Sequence, residues 1–461
     1  MIVSYNFYGH YLTAVEAVSV NAWFIVPFIL LLLSIAVIPL INRHWWEKNY
    51  PLVACTLGCI VVFYYTFSLH YIPRLFLMSY QYLCFISLIG SLFVVSSGIH
   101  LRLRGNATPI GNVALLATGG VFANILGTTG ASMILIRPYL RSNKYRIKGY
   151  HIVFFIFIVS NIGGALTPIG DPPLFLGFLK GIPFFWIITR VSTIWLLTIG
   201  MILLVFYGID MYNFQKETIK VKKSAAEIDE PVVSGLHNTI FLLIIIAALF
   251  IDSPAPLMLR EIIMWSAALA SFLTTKKEIH EKNDFTFVPL KEVAILFAGI
   301  FATMIPALDW LDLHAASIGI VTPGQYYWGT GILSSMLDNA PTYLNFLTAA
   351  FGLHGANVDN AQHMNLVLGL TTPSAAGLPN PLQAGAMEIT SQSWRYVQAI
   401  SIGAVFFGAT TYIGNVPNFM VKSIAERSGV QCPSFFGYIL KYSLPVLIPI
   451  FACIWYLFFR V

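Results

Sequence analysis

Two carboxylates stand where a charge is expensive. Asp171 lies in "GALTPIGDPPLF", Gly164 to Phe175, and Asp338 in "SSMLDNAPT", Ser334 to Thr342, each within an otherwise apolar stretch. An ionisable side chain at the bilayer centre costs about 2.5–3.5 kcal/mol on insertion scales, so a carboxylate kept there is by default a functional group. Neutral polar side chains gather around both: Asn124, Thr128, Thr129, Ser132, Asn161 and Thr167 in the first half, Asn339, Thr342, Thr410, Thr411 and Asn415 in the second. Hydroxyl, amide and carboxylate oxygens are hard ligands suited to a small alkali cation, which makes sodium at Asp171 and Asp338 the chemistry to expect. Plainer roles exist. The aspartates could cap helix N-termini, and the Ser, Thr and Asn residues could be hydrogen-bonding glue between helices. Their clustering at repeated interruptions favours binding.

The interruption occurs twice. "GALTPIGDPPLF" returns as "GATTYIGNVPNF", Gly408 to Phe419, with seven of twelve aligned positions identical and Asn415 in the place of Asp171. Gly164, Pro168 and Gly170 in the first copy, and Gly408, Gly414 and Pro417 in the second, are the residues expected to unwind a helix and free its carbonyls.

Composition sets the surroundings. Hydrophobic residues make up 57% of the 461 and charged residues 10%, with a mean hydropathy of +0.76, whereas a soluble domain carries about 25% charged residues. The chain reads as an all-α polytopic membrane protein. The first twenty residues hold no Lys or Arg and no small-residue cleavage pattern, and read as a native lead-in. The net charge of +6 sits mostly in short loops, where it sets orientation, so a lipid bilayer and not nucleic acid is the implied partner. Cys55, Cys59, Cys84, Cys432 and Cys453 show no metal spacing. The histidines fall near span ends or in loops, which argues against a histidine proton relay; no phosphate loop or nucleophile elbow occurs, and no cofactor is implied. Arg190 and Lys441, near span ends, read as snorkelling cations.

Spans are expected near 21–42, 50–68, 79–100, 151–179, 183–209, 237–254, 257–275, 291–308, 395–421 and 434–459. Two further stretches, 105–136 and 326–350, have flanks that match in charge character, so neither is a simple crossing. Arg102, Arg104 and Arg137 to Lys148 flank the first, and no Lys or Arg occurs from Glu292 to Trp394 around the second. Both read as re-entrant hairpins, entering from opposite faces. Each half then holds about five crossings, an odd number, so residues 237–461 form an inverted copy of 1–209, joined by a cytoplasmic linker at 210–236. The segments 151–179 and 395–421 are the broken helices of the two copies. The loop from Gly352 to Ser393 has no role legible in its residues.

The blocks "GTTGASMILIRPYLR" (Gly127 to Arg141), "SNIGGALTPIGDPPLFLGFLKGIPFFW" (Ser160 to Trp186), "LDNAPT" (Leu337 to Thr342) and "GNVPNFMVKSIAE" (Gly414 to Glu426) resemble the ion transporter superfamily. The resemblance covers nearly the whole chain. It is nearest to the bacterial D-type sodium/proton antiporters and the related proteins assigned as citrate transporters. It implies a secondary carrier of the bacterial inner membrane, often a homodimer, that holds its substrate between hairpin tips and unwound helices. On this chain that points to Thr128, Thr129, Asp338, Asn339 and Thr342 at the tips, and to Thr167, Asp171, Thr411 and Asn415 at the breaks. The Ser-Asn-Thr tip signature of the carboxylate-carrying relatives is replaced here by "GTTG" and "DNAPT".

Sodium/proton antiport by alternating access is the first expectation, with sodium and proton competing for carboxylates; low dielectric favours the neutral acid enough for that competition. Cation-coupled transport of citrate or a dicarboxylate is the alternative, with helix N-termini and hydroxyls holding the anion. An intramembrane aspartyl protease is a remote third, since the only "PAL", Pro306 to Leu308, precedes Asp338 instead of following it. The chain is not expected to be an enzyme.

Overall fold

A computed structural model of the protein describes residues 18–102, 107–218, 232–251, 258–371 and 387–460. Most of the lead-in, Arg104, the basic run Lys220 to Lys223 and the middle of the 352–393 loop lie outside the described residues.

Among the described residues the chain is mainly helical, with one short strand pair. Helices α1 (Val26–Ile41), α2 (Arg43–Phe63) and α3 (Ile72–Ser97) come first. Strand β1 (His100–Arg102) pairs antiparallel with β2 (Val232–Ser234), Leu101 opposite Val233. Between the strands run α4 (Pro109–Ser142), α5 (Gly149–Ile158), α6 (Pro172–Leu179) and α7 (Phe184–Gln215). After β2 come α8 (Asn238–Ala248), α9 (Leu259–Thr274), α10 (Lys277–Lys282) and α11 (Val288–His314), then α12 (Pro323–Met336), α13 (Asn339–Leu353) and α14 (Ala361–Val367). The chain closes with α15 (Trp394–Phe407), α16 (Val416–Arg427) and α17 (Phe435–Phe459). Among the described residues, eight helices are long and apolar enough to cross a membrane, and α4 is one of them.

The geometry of α4 is that of a folded hairpin, not a crossing. Gly127 in its middle has φ 74° and ψ 155°, a conformation open to glycine and costly for other residues. A Cβ placed on Gly119 would lie 3.0 Å from the Leu135 side chain, although a straight helix would hold those positions about 24 Å apart. The limbs run to Ser142, past the 105–136 expected. Arg137 and Arg141, placed above in the flank of the stretch, belong to the helix: Arg137 pairs with Asp284 and Arg141 sits in the last turn, where a cation meets the negative end of the helix dipole. In the same way α12 and α13 form a second hairpin, Gly329 packing against Phe346. Thr322 and Gln325 close a capping box at its start, and its limbs extend past the expected 326–350.

Both broken helices share one local geometry. After α5 a 3₁₀ turn, Ile162–Leu166, leads to extended residues at Thr167 (φ −133°, ψ 153°) and Asp171 (φ −142°, ψ 142°) before α6 starts. After α15 a 3₁₀ turn, Gly408–Thr410, leads to Thr411 (φ −138°, ψ 167°) and Asn415 (φ −153°, ψ 144°) before α16 starts. Gly170 folds back on the Gly164 carbonyl and Gly414 on that of Gly408, so closely that a Cβ at Gly170 or Gly414 would collide with the opposite oxygen.

Helices α1, α2, α3, α8, α9 and α11 pack into one panel, while both hairpins, both broken helices, α7 and α17 pack into a second body. The two meet where α3 touches α4 and where α11 touches α13. The densest burial is in α5, where every residue from Tyr150 to Ile158 is buried, leaving the break beyond it surrounded by protein.

Candidate functional site

Each hairpin tip is hydrogen-bonded to the break beside it. At the first, Thr167 Oγ1 donates to the Asn124 carbonyl (2.6 Å), Asn124 Nδ2 to the Gly163 carbonyl (2.7 Å) and the Thr128 amide to the Gly170 carbonyl (2.8 Å). Leu166 N donates in turn to Asn124 Oδ1 (2.9 Å). At the second, Thr411 Oγ1 donates to the Ser335 carbonyl (2.6 Å) and Ser334 Oγ to that of Ala404 (2.6 Å). Thr167 and Thr411 do the same work, for each hydroxyl also accepts from the glycine amide three residues on, Gly170 N and Gly414 N, at 3.1 Å.

The two tips and two breaks converge on one carboxylate. Asp171 is 1% exposed. Its Oδ1 accepts from Thr128 Oγ1 at 2.8 Å and Asn415 Nδ2 at 2.9 Å, and its Oδ2 from Asn339 Nδ2 at 2.6 Å. Asp171 precedes the first residue of α6, but its side chain makes no capping bond there. Asp338, by contrast, does cap: its Oδ1 accepts from the Ala340 amide at 3.0 Å at the start of α13. No hydrogen bond joins the two aspartates among the described residues.

A second layer of amides lies against this carboxylate. Asn415 Nδ2 also reaches the Ser160 carbonyl (3.2 Å), and Ser160 Oγ meets Ser132 Oγ (2.8 Å). Asn161 Nδ2 donates to the Ile156 carbonyl (2.8 Å) and to Asn418 Oδ1 (2.7 Å), joining the two broken helices. The oxygens Asn161 Oδ1 and Asn339 Oδ1 are buried with no hydrogen-bond partner. Thr342 turns its hydroxyl to the Asp338 carbonyl (2.9 Å), within its own helix, and Thr129 is half-buried and apart from these bonds. Asn418 was not among the residues singled out in the sequence. The signal was there, an Asn in "GNVPNF" where the first copy has Leu174.

Away from the site, buried charges mark both ends of the bundle. Arg74 pairs with Asp309 (2.6 Å) and Asp359 (2.9 Å), Lys180 also pairs with Asp359, and Tyr65 donates to Asp309 (2.7 Å). Burial opposes ionisation of Asp359, yet Lys180 and Arg74 hold its carboxyl well below the usual carboxylate range. These ions join the panel, through α3 and α11, to the second body, through the turn after α6 and the loop after α13. At the end that carries the strands, Asp210 pairs with Arg146, accepts from Tyr150 (2.6 Å) and Asn112 (3.1 Å), and lies 3.2 Å from His151 Nε2.

An all-α bundle with two folded-back hairpins and two interrupted helices around one buried carboxylate is the architecture of a multi-pass membrane transporter. The family described as "Putative citrate transport" matches residues 17–459, and the chain belongs to it. No curated protein matches the chain.

Proposed function

We propose that the protein is an ion-coupled secondary transporter that exchanges sodium for protons, with Asp171 as the carboxylate on which the two compete. The observation that carries this reading is the convergence on Asp171 of Thr128 from the first tip, Asn339 from the second tip and Asn415 from the second break. A change of charge on that one group is felt by all four elements. With a proton bound, the acid no longer needs three donors. With sodium bound, Thr128 presents its oxygen, the amides of Asn339 and Asn415 rotate to present theirs, and Asn161 Oδ1 is a buried acceptor within the same cluster. Asp338, Thr129, Thr342, Thr167, Thr411 and Asn124 shape the two tips and breaks around it. The halves act as inverted copies in alternating access. Exposed Lys144, Lys148, Lys216, Lys276, Lys277 and Lys282 all lie at the strand end, which supports a cytoplasmic strand face in a bacterial inner membrane.

Cation-coupled citrate or dicarboxylate transport is the second reading, and the family description favours it. The starts of α6, α13 and α16 do face the centre, where helix N-termini attract anions. However, Pro172 and Pro173 open α6 and Pro417 opens α16, each removing a backbone donor an anion would use. None of the side-chain bonds of Asp171, Asn161, Thr128, Asn339 or Asn415, among the described residues, involves Lys or Arg.

In everted vesicles, Asp171→Asn should abolish the collapse of a proton gradient on adding sodium; full retention overturns this assignment. Labelled citrate accumulating in proteoliposomes under a sodium gradient, with no exchange in its absence, would establish the second reading instead.

A further inference from the structure

We infer that Asn418 is a positioning residue for the ion site, holding the Asn161 oxygen toward it; the role rests on the sodium/proton reading above. Asn418 is fully buried on the first turn of α16. Its amide nitrogen donates to two main-chain carbonyls, Gly408 and Thr411, each at 2.8 Å. Carbonyl oxygens cannot donate, so the Asn418 oxygen has to face the other way, and there it receives Asn161 Nδ2 at 2.7 Å. The other N–H of Asn161 goes to the Ile156 carbonyl at 2.8 Å. Three main-chain oxygens thus dictate the orientation of two side-chain amides in series, and one oxygen is left over.

That oxygen is Asn161 Oδ1, fully buried and without a donor. It points at the second break, 3.1 Å from where a Cβ on Gly408 would stand, and Asn339 Nδ2, which holds Asp171, lies 3.5 Å from the same point. A buried acceptor left bare is a standing cost, relieved when a cation or a donor arrives. Without Asn418, the Ile156 carbonyl alone would hold the Asn161 amide, and an Asn161 that turns over presents its NH₂, which repels a cation. The fold itself does not demand an amide at this place on a half-helix, because the aligned position of the first copy is the buried Leu174.

Asn418→Leu, Asn161→Ala and the double variant would be compared with wild type in two measurements: sodium-dependent exchange in everted vesicles, and thermal unfolding in detergent with and without sodium. The expected result is an apparent sodium affinity at least about tenfold weaker in Asn418→Leu at a nearly unchanged maximal rate, with the sodium-induced thermal shift reduced to match. The double variant should bind no more weakly than Asn161→Ala alone, since both changes remove the same oxygen. If Asn418→Leu is not recovered folded, Asn418→Ala, which removes the acceptor for Asn161 Nδ2 with less bulk, is read in the same way; failure of both to fold would assign Asn418 to the scaffold and overturn the inference. Wild-type sodium affinity in a folded variant, or losses that add in the double variant, also overturn it. A wild-type protein indifferent to sodium in both measurements refutes the exchange reading itself, a different outcome from an indifferent variant beside a responsive wild type.

Discussion

Asn112 and Asn143, 31 positions apart, exchange two side-chain amide hydrogen bonds, of 2.9 and 2.8 Å, across the mouth of the first hairpin. An unbroken helix would separate them by about 46 Å. Asp210 accepts a further bond from Asn112, so the mouth of the hairpin is fastened to α7 while its tip, through Thr128, is fastened to Asp171.

Asn143→Ala leaves the buried Asn112 amide short of a partner, a loss of about 1–3 kcal/mol. Thermal unfolding in detergent should show a clear drop in midpoint, whereas Ile110→Ala, at a 67% exposed position two residues before Asn112 and on the opposite side of the helix, should leave it almost unchanged. Equal effects would mean that the mouth contributes nothing special.

The Arg74, Asp309, Lys180 and Asp359 cluster makes a prediction with a sign that depends on pairing. Asp359→Leu strands Lys180 in a buried place, and stranding a buried charge costs about 3–5 kcal/mol. Adding Lys180→Met should restore part of that stability, because Arg74 keeps Asp309. A double variant weaker than Asp359→Leu would show that the ions act separately.

Sidedness can be read chemically. In a background without the exposed Cys55, Cys59 and Cys453, a thiol introduced at Tyr145 should react only with reagent on the cytoplasmic side, and one at Val321 only with reagent outside. Both positions are exposed, at 68% and 41%. Labelling of the two from one side would end the inverted-copy reading.

Outside the spans, His280 on α10 gives a pH test. Its ring packs against Phe272 and Phe285, and burial lowers its pKa below the ordinary 6.5. The unfolded chain therefore takes up its proton first, so stability is full above 6.5 and is lost as pH falls through that value. Between pH 7.5 and 5.5, the fall in unfolding temperature should be smaller for His280→Gln than for wild type.

Much of the candidate cluster was legible because the phrase around Asp171 occurs twice. Asp171, Thr167, Thr411 and Asn415 follow directly from that alignment, and the tip residues Thr128 and Asn339 follow from the glycine and proline breaks between matched flanks. Asn418 escaped notice because it breaks the repeat instead of sharing it, Leu174 standing opposite. The ion cluster escaped for another reason: Arg74 and Asp359 are far apart in sequence, each near a helix end where a single charge reads as solvated, and only packing of the panel against the second body brings them together. Asp171 and Asp338 looked alike as isolated acids. Backbone geometry separated them, since one amide, Ala340 N, points at Asp338 while Asp171 receives side chains instead.

The three-residue strand pair has a topological consequence. Everything from α4 to α7 departs after β1 and returns before β2, so the first hairpin, the first broken helix and α7 hang from the panel as a closed loop with both ends fastened at one spot. The two ends of that excursion are therefore fixed to each other by main-chain pairing, Leu101 opposite Val233, and not only by the packing of its helices.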